Sequence, residues 1–251
     1  VDSTLYEYYQ RCQEYLLEPV VLNMSDTLFR MAGERQDERM QAVAIATQLD
    51  YYYFQGTNED SVIHYTNKVK EFAKATHQPK YYYFAWANRL ITYYLKTSRT
   101  NIALYEVQNM LKEAQEEDDK TGLSRCYNIM SQIYTIKRFD SMAFEWRLKE
   151  IELTEKYKIE NYNISQTYAQ IANYYINQKK QKEALAAVEK AIATANSSTQ
   201  QISAKLEFVN YYSKFGDFQA AEKLLKECQA AFEQDKRLES IKKRLYNIEC
   251  L

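Results

Sequence analysis

The side chains that most often carry catalysis are few in this sequence or lack a motif. His64 and His77 are the only histidines, and neither lies in an HExxH zinc-binding pattern. The sequence also has no glycine-rich phosphate loop and no GxSxG motif. The many Asp and Glu residues follow the polar faces of predicted helices, where solvent is expected. An active site needs several such groups together, so we predict no enzyme activity, no metal and no cofactor.

Charge and hydropathy argue against two further classes of function. The 33 basic and 34 acidic residues nearly cancel, whereas a surface that binds nucleic-acid phosphates needs clustered Lys and Arg. No apolar stretch approaches the roughly 20 residues of a membrane-spanning helix. The four cysteines are scattered without a CxxC pair, which argues against a zinc or redox motif. We therefore expect no nucleic-acid partner and no membrane insertion within this chain.

Residue composition indicates an all-α protein. The chain has only four Gly and two Pro in 251 residues, whereas folds built from strands and turns use many more turn-forming residues. Ala, Glu, Gln, Lys and Leu are abundant, and all of them favour helix. The six Gly and Pro residues are therefore expected at the joints between helices.

Regularly spaced tyrosines reveal an internal repeat. The tetrapeptide YYYF occurs twice, but the residues around its two copies do not match, so it is not the repeat unit. Six tyrosines, one of them within the first YYYF copy, recur at intervals of 37–41 residues, and we expect their side chains to be buried between helices. They are Tyr15, Tyr53, Tyr94, Tyr134, Tyr175 and Tyr212. In the last four repeats an alanine follows nine residues after the tyrosine.

The period predicts six antiparallel helix pairs and one final helix. The pairs are expected at about 3–37, 39–77, 80–119, 122–159, 162–198 and 200–235. The corresponding repeats of a single array are placed at about 5–38, 43–76, 84–117, 124–157, 165–198 and 202–235. Residues 236–251 are predicted to form a helix that caps the last pair, because terminal repeats of such arrays need a cover for their apolar face.

The segment 171–195 resembles a tetratricopeptide repeat (TPR). That pattern has a large residue, an apolar residue, a small residue and a tyrosine in its first helix, then alanines around an apolar residue in its second. The matching positions here are Tyr168, Ile171, Ala172, Tyr175, Ala184, Val188 and Ala191. The resemblance implies an all-α, TPR-type α-solenoid, a right-handed superhelix of antiparallel helix pairs.

A TPR-type fold also implies a concave groove lined by the first helix of each repeat, which binds a protein or peptide segment. The groove residues that the resemblance implies are Tyr51, Phe54, Asn88, Arg89, Arg125, Asn128, Gln132, Asn173 and Asn210. Amides both donate and accept hydrogen bonds, which suits an extended peptide backbone. Arginine binds carboxylates through two parallel hydrogen bonds. Common use of Asn at these positions for packing is the alternative explanation.

The register assigns different roles to the two YYYF segments. In Tyr51–Phe54 the packing tyrosine is Tyr53, while Tyr51 and Phe54 are expected at the groove. In Tyr81–Phe84 all four residues are expected mainly in the core.

The chain as a whole resembles sensory TPR regions of bacterial membrane-anchored signalling regulators. That resemblance implies a docking or sensory scaffold, with the periplasmic side of the membrane favoured as its location. A free-standing adaptor or co-chaperone, with a cytoplasmic location, is the alternative, and self-association is possible in either. The first residue is Val rather than Met, which suggests processing or excision from a longer protein.

Overall fold

Every regular element within residues 2–234, the part of the chain that the computed structural model describes, is a helix. The all-α class is therefore confirmed for those residues. The predicted capping helix at 236–251 lies outside them. The helices are α1 Ser3–Glu14, α2 Val20–Glu34, α3 Glu38–Gln55, α4 Glu59–Ala75, α5 Pro79–Ala85, a π segment Trp86–Ile91, α6 Thr92–Lys96, α7 Thr100–Glu116, α8 Lys120–Ile136, α9 Asp140–Tyr157, α10 Ile164–Asn177, α11 Gln181–Ala193, α12 Ser198–Phe215 and α13 Phe218–Gln234.

Local sequence explains where several helices begin. Asp37, Asn58 and Asp119 each accept a hydrogen bond from a backbone N–H in the first turn of the following helix. Such caps satisfy donors that have no partner inside the helix. Pro79 is the first residue of α5, where its missing N–H costs nothing.

Turns between helices are tight and mostly built without glycine. Gly56 and Gly216 end α3 and α12 with left-handed backbone, as expected for glycine. Seven further residues other than glycine have a positive φ at such turns. These residues are Gln36, His77, Ser98, Asp118, Arg138, Lys158 and Lys179. This use of ordinary residues at left-handed positions accounts for much of the scarcity of glycine.

The chain divides into two compact units, and the division falls in the turn after α8. The N-terminal unit runs through Arg138, and the C-terminal unit begins at Phe139. In the N-terminal unit the first helices of successive pairs touch in order, α1 on α3, α3 on α5 and α5 on α8. In the C-terminal unit α10 touches α12 in the same way. The single array of six repeats over 1–251 stays a prediction.

Burial follows the repeat period in most pairs. Ala103, Ala143 and Ala184 are each at most 1% exposed, so a second helix approaches closely at these points. Of the periodic tyrosines, Tyr53 and Tyr94 are buried, whereas the last three are half-buried. The expectation is wrong for Tyr15, which is 41% exposed. It is the C-cap residue of α1, at the end of that helix and ahead of the turn to α2.

One helix departs from regular α geometry. The first helix of the third pair contains a π segment, Trp86–Ile91, between α5 and α6. Its hydrogen bonds span five residues rather than four, and such insertions occur frequently at functional sites. Neither composition nor periodicity indicated this segment. It carries Asn88 and Arg89, two residues of the candidate groove.

Candidate functional site

The N-terminal unit presents its candidate residues on α3, on the helix that contains the π segment, and on α8. Arg89 is held by Asp50 of α3 through two hydrogen bonds, one from Nε and one of 3.2 Å from Nη2. The side chains of this ion pair are only 15% and 16% exposed. Arg89 is therefore already neutralised within the protein, which the sequence did not reveal because the two residues are 39 positions apart.

Aromatic rings surround the Arg89 guanidinium. It lies 5.0 Å from the ring centre of Tyr53, 5.6 Å from that of Phe54 and 4.8 Å from that of Phe84. Phe54 is 48% exposed and presents its ring at the surface. Tyr51 is half-buried and packs against the core of the first two helix pairs.

Arg125 on α8 contrasts with Arg89. Its guanidinium lies 5.5 Å from the ring centre of Phe84, and its Nη1 donates to Oδ1 of Asn88 at 3.5 Å. Its Nε is buried and meets no acceptor among the described residues. No carboxylate of residues 2–234 forms an ion pair with it. Burial holds the pKa of Arg125 below its ordinary value, although the negative charge of Asp119 acts in the opposite direction. An arginine nevertheless stays charged near neutral pH.

Phe84 lies next to both arginines, and together with Asn88 these residues form what we call the arginine cluster: Phe54, Phe84, Asn88, Arg89 and Arg125. Two more candidate residues lie on α8, where Gln132 Nε2 donates to Oδ1 of Asn128 at 2.7 Å. The structure thus brings the cluster together within the N-terminal unit, with the amide pair of Asn128 and Gln132 on the same helix as Arg125.

The candidate amides of the C-terminal unit bind a buried acid. Nδ2 of Asn173 on α10 and Nδ2 of Asn210 on α12 donate to the same oxygen of Glu207, at 3.0 and 3.2 Å. Glu207 is only 2% exposed. These contacts favour the alternative explanation, that the asparagines have a structural role. Their amides supply the hydrogen bonds that a buried carboxylate needs.

The expectation that acidic residues face solvent is wrong at Glu150 as well as at Glu207. Glu150 on α9 is 1% exposed, and Asn161 Nδ2 donates to its Oε1 at 2.9 Å. Thr167 donates to its other oxygen at 3.4 Å. The polar partners of Glu150 come from the following loop and helix, whereas those of Glu207 come from α10 and from α12 itself.

The second YYYF segment forms a network with α4 and α7. Tyr82 and Tyr83 are at most 1% exposed, as expected for core positions. Their hydroxyls donate to Glu113 at 2.7 Å and to Glu117 at 2.9 Å. Lys70 and Lys74 form ion pairs with Glu113, and Lys74 also reaches Glu117 at 3.2 Å. Two acids and two lysines balance one another here.

Gly122 permits the close approach of this network to α8. A side-chain carbon at Gly122 would lie 2.8 Å from the ring of Tyr83. Glycine is therefore required here for packing rather than for its backbone freedom, since it lies within the first turn of α8.

Residues 2–234 contain neither a membrane-spanning helix nor a cluster of metal-binding side chains. None of the helices there is long and apolar enough to cross a membrane. Within the same residues no group of three or more His, Cys, Asp or Glu side chains is placed to hold a metal ion.

Comparisons with solved structures identify the fold. BtubC (BKLC) from P. vanneervenii superposes with a TM-score of 0.65 at 14% identity, over 92% of this chain and 93% of that one. A putative kinesin light chain from Podosopora anserina with TPR-like repeats superposes with a TM-score of 0.55 at 15% identity, over 80% and 97%. The apo form of RapI superposes with a TM-score of 0.54 at 13% identity, over 92% and 100%.

The TPR-type helical repeat fold predicted from the sequence is thus confirmed. At these identities the likeness concerns the fold alone. No protein-family model matches the chain, and no curated protein matches it in sequence.

Proposed function

We propose that this protein is a non-catalytic scaffold that binds a protein or peptide segment at the arginine cluster of its N-terminal unit. The fold supports this proposal, because repeats that contact only their neighbours expose extended surfaces suited to chain-like ligands. The observation that carries it is Arg125, whose half-buried guanidinium lies beside an aromatic ring. Its only polar side-chain partner within residues 2–234 is the amide oxygen of Asn88.

An acidic side chain or a terminal carboxylate of the bound segment would pair with the Arg125 guanidinium. Buried charges are normally paired, and an arginine without a carboxylate offers a carboxylate ligand two charge-assisted hydrogen bonds. The exposed ring of Phe54 adds apolar contact area beside this charge. Arg89 acts differently, since Asp50 already occupies its guanidinium and it supports the rings of Phe54 and Phe84.

Fluorescence anisotropy with defined peptides tests this proposal. The probe is a fluorescein-labelled Gly–Ser peptide that contains consecutive glutamates, and the reference peptide has glutamines in their place. We expect tighter binding of the acidic peptide to the wild-type protein. Arg125→Gln should weaken that binding about tenfold, which corresponds to ~1.4 kcal/mol.

Arg30→Gln is the matched control, because Arg30 belongs to the same unit and its side chain is 68% exposed beside Glu34. It removes the same charge without touching the cluster. Equal losses in the two variants would mean that net charge alone attracts the peptide. Equal affinity of wild type for the two peptides would contradict the proposal outright.

The narrower role proposed is that of a sensory or docking region in a bacterial signalling or transcription regulator, with a free-standing adaptor or co-chaperone as the alternative. The resemblance of the tyrosine-rich repeats to such sensory regions supports the first. The coding sequence around this chain distinguishes them. A signal peptide upstream together with a membrane helix and a signalling module downstream would favour the regulator, and their absence would favour the adaptor.

A further inference from the structure

A second site, unrelated to the arginine cluster, is a pocket of about 250 Å³ in the N-terminal unit between α4, the π segment and α7. Its apolar walls come mainly from Ile63 and Leu90, and aromatic rings form much of the rest. The lining polar groups are Thr66, Asn67, Lys70 and Glu106, and the aromatic residues are Tyr82, Trp86 and Tyr94. An apolar pocket with a few convergent polar groups is the usual form of a small-molecule site.

Glu106 is the acid of α7 that lacks a basic partner. Two turns further along the same helix, Glu113 is met by Lys70 and Lys74. Glu106 instead accepts a single hydrogen bond of 2.8 Å, from Nε1 of Trp86. No lysine or arginine of the described residues forms an ion pair with it. Glu106 therefore forms no ion pair within the described part of the chain. Lys70 of the same lining has its Nζ 4.8 Å from the ring centre of Trp86 and is itself paired with Glu113.

Thr66 supplies an independent indication of a ligand. It is 2% exposed, and its hydroxyl has no hydrogen-bond partner among the described residues. Other helical threonines of this unit, such as Thr47 and Thr97, donate to the carbonyl four residues earlier. A buried hydroxyl without a partner is costly unless a ligand satisfies it.

The π segment forms one wall of this pocket. Trp86 and Leu90 of this segment line it together with Tyr94 of α6, and the three residues are spaced four apart. Trp86 is 8% exposed and Tyr94 is 5% exposed, so the wall is rigidly packed.

We propose that this pocket binds a small organic amine in its protonated form. The ammonium group pairs with the Glu106 carboxylate. The rings of Trp86 and Tyr94 already have Lys70 Nζ and Arg99 Cζ 4.8 Å from their centres, so the carboxylate rather than the rings supplies the attraction. The apolar part of the ligand contacts Ile63 and Leu90, and its polar edge reaches the hydroxyl of Thr66. A monocation fits the charge balance, because Lys70 is already paired with Glu113. The pocket volume restricts the ligand to a compact molecule.

Calorimetric titration with 2-phenylethylamine and with neutral 2-phenylethanol tests this proposal. In a Trp146→Phe background Trp86 is the only tryptophan, so its emission reports whether the ligand reaches the pocket. We expect saturable binding of the amine with a change in Trp86 emission, and at least tenfold weaker binding of the alcohol. Thr66→Val should weaken binding of a hydroxyl-bearing amine such as tyramine without lowering the urea midpoint of the protein.

Glu106→Gln keeps an acceptor for the Trp86 indole but removes the charge, and we expect it to weaken amine binding at least tenfold. Glu116→Gln is the matched control on the same helix, because Glu116 is 65% exposed and lies away from the pocket lining. Unfolding curves of both variants confirm that they are folded. Unchanged amine affinity in Glu106→Gln, equal affinity for amine and alcohol, or no saturable binding to the wild type would each overturn the proposal.

Discussion

Glu106 in the N-terminal unit and Glu207 in the C-terminal unit are two helical carboxylates with opposite surroundings. Glu207 is almost fully buried, and two asparagine amides solvate it. Glu106 is half-buried at a pocket, with one indole donor and no ion pair in the part of the chain that the structure describes. The same contrast holds between candidate binding residues, because Asn173 donates to Glu207 while Arg125 forms no ion pair with a carboxylate of residues 2–234. The comparison teaches that a polar residue at a favourable repeat position is available for binding only if no neighbour has satisfied it.

Removing each of the two acids should give the largest difference. Glu207→Ala leaves the Asn173 and Asn210 amides without their acceptor, and each buried donor left in this way costs about 1–3 kcal/mol. We expect a loss of about 3 kcal/mol in the free energy of unfolding, measured by urea denaturation. Glu106→Ala loses a single, partly exposed hydrogen bond and should cost at most about 1 kcal/mol. Similar costs for the two variants would refute the distinction between a structural and an available acid.

Asn173 and Arg125 should separate stability from binding. Asn173→Ala removes one of the donors to Glu207 and should lower the free energy of unfolding by about 1–3 kcal/mol. It should leave the affinity for the acidic peptide unchanged, since Asn173 belongs to the other unit. Arg125→Gln should leave the free energy of unfolding unchanged and weaken the binding of the acidic peptide. A loss of peptide binding in a folded Asn173→Ala protein would return the asparagines to the list of ligand contacts.

Neutralising Asp50 should leave Arg89, like Arg125, without a carboxylate partner. Asp50→Asn removes the carboxylate that holds Arg89, so we expect a loss of about 1–2 kcal/mol from this partly buried pair. The released guanidinium should also raise the affinity for the acidic peptide several-fold in anisotropy titrations. Weaker binding in the folded variant would mean that Asp50 positions Arg89 and Phe54 for the ligand rather than competing with it.

The smallest expected effect is a difference between the two units in how the free energy of unfolding depends on pH. Burial raises the pKa of Glu113, but hydrogen bonds from Lys74, Tyr82 and Lys70 outweigh it and leave the pKa below its ordinary value. A depressed pKa stabilises the fold above the unfolded value of about 4.3, and this contribution disappears as the pH falls through the folded pKa.

Urea unfolding of Glu113→Gln as a function of pH should therefore show its full cost near neutral pH and a decreasing cost as the pH falls below about 4.3. Hydrogen bonds from Lys190 and Tyr168 also lower the pKa of Glu155 in the C-terminal unit. Glu155 is 51% exposed, so solvent screens its interactions and Glu155→Gln should show a weaker pH dependence. A cost of Glu113→Gln that does not change with pH would contradict this account.

Local features of the fold were predictable because they depend on residues close in sequence. The scarcity of Gly and Pro indicated helices, and Gly56 and Gly216 do end helices as joints. The period of tyrosines and alanines identified the positions of close packing, of which Ala103 and Ala184 are fully buried. The exposure of Tyr15 escaped this reasoning, since the repeat pattern does not show where α1 ends and Tyr15 is the C-cap residue of that helix.

The candidate site was only partly predictable. Arg89 and Arg125 both lie beside Phe84, and Arg125 contacts Asn88, but their role in binding stays a prediction. Their states were not predictable, because the partner that neutralises Arg89 comes from another repeat. The π segment was also missed, since its residues have ordinary helical composition and differ only in hydrogen bonding.

Helical class, repeat period and the TPR-type pattern were determined by the sequence itself, because spacing along a helix decides which residues share a face. The tertiary structure alone decided which charges are satisfied. Asp50 pairs with Arg89, 39 residues away in sequence, and Asn173 donates to Glu207, 34 residues away. Glu106 accepts a hydrogen bond from the Trp86 indole and forms no ion pair within residues 2–234. Such pairings depend on the distance between side chains from different helices, which periodicity does not encode. An available charge and a satisfied one therefore look the same in sequence and differ only in the folded protein.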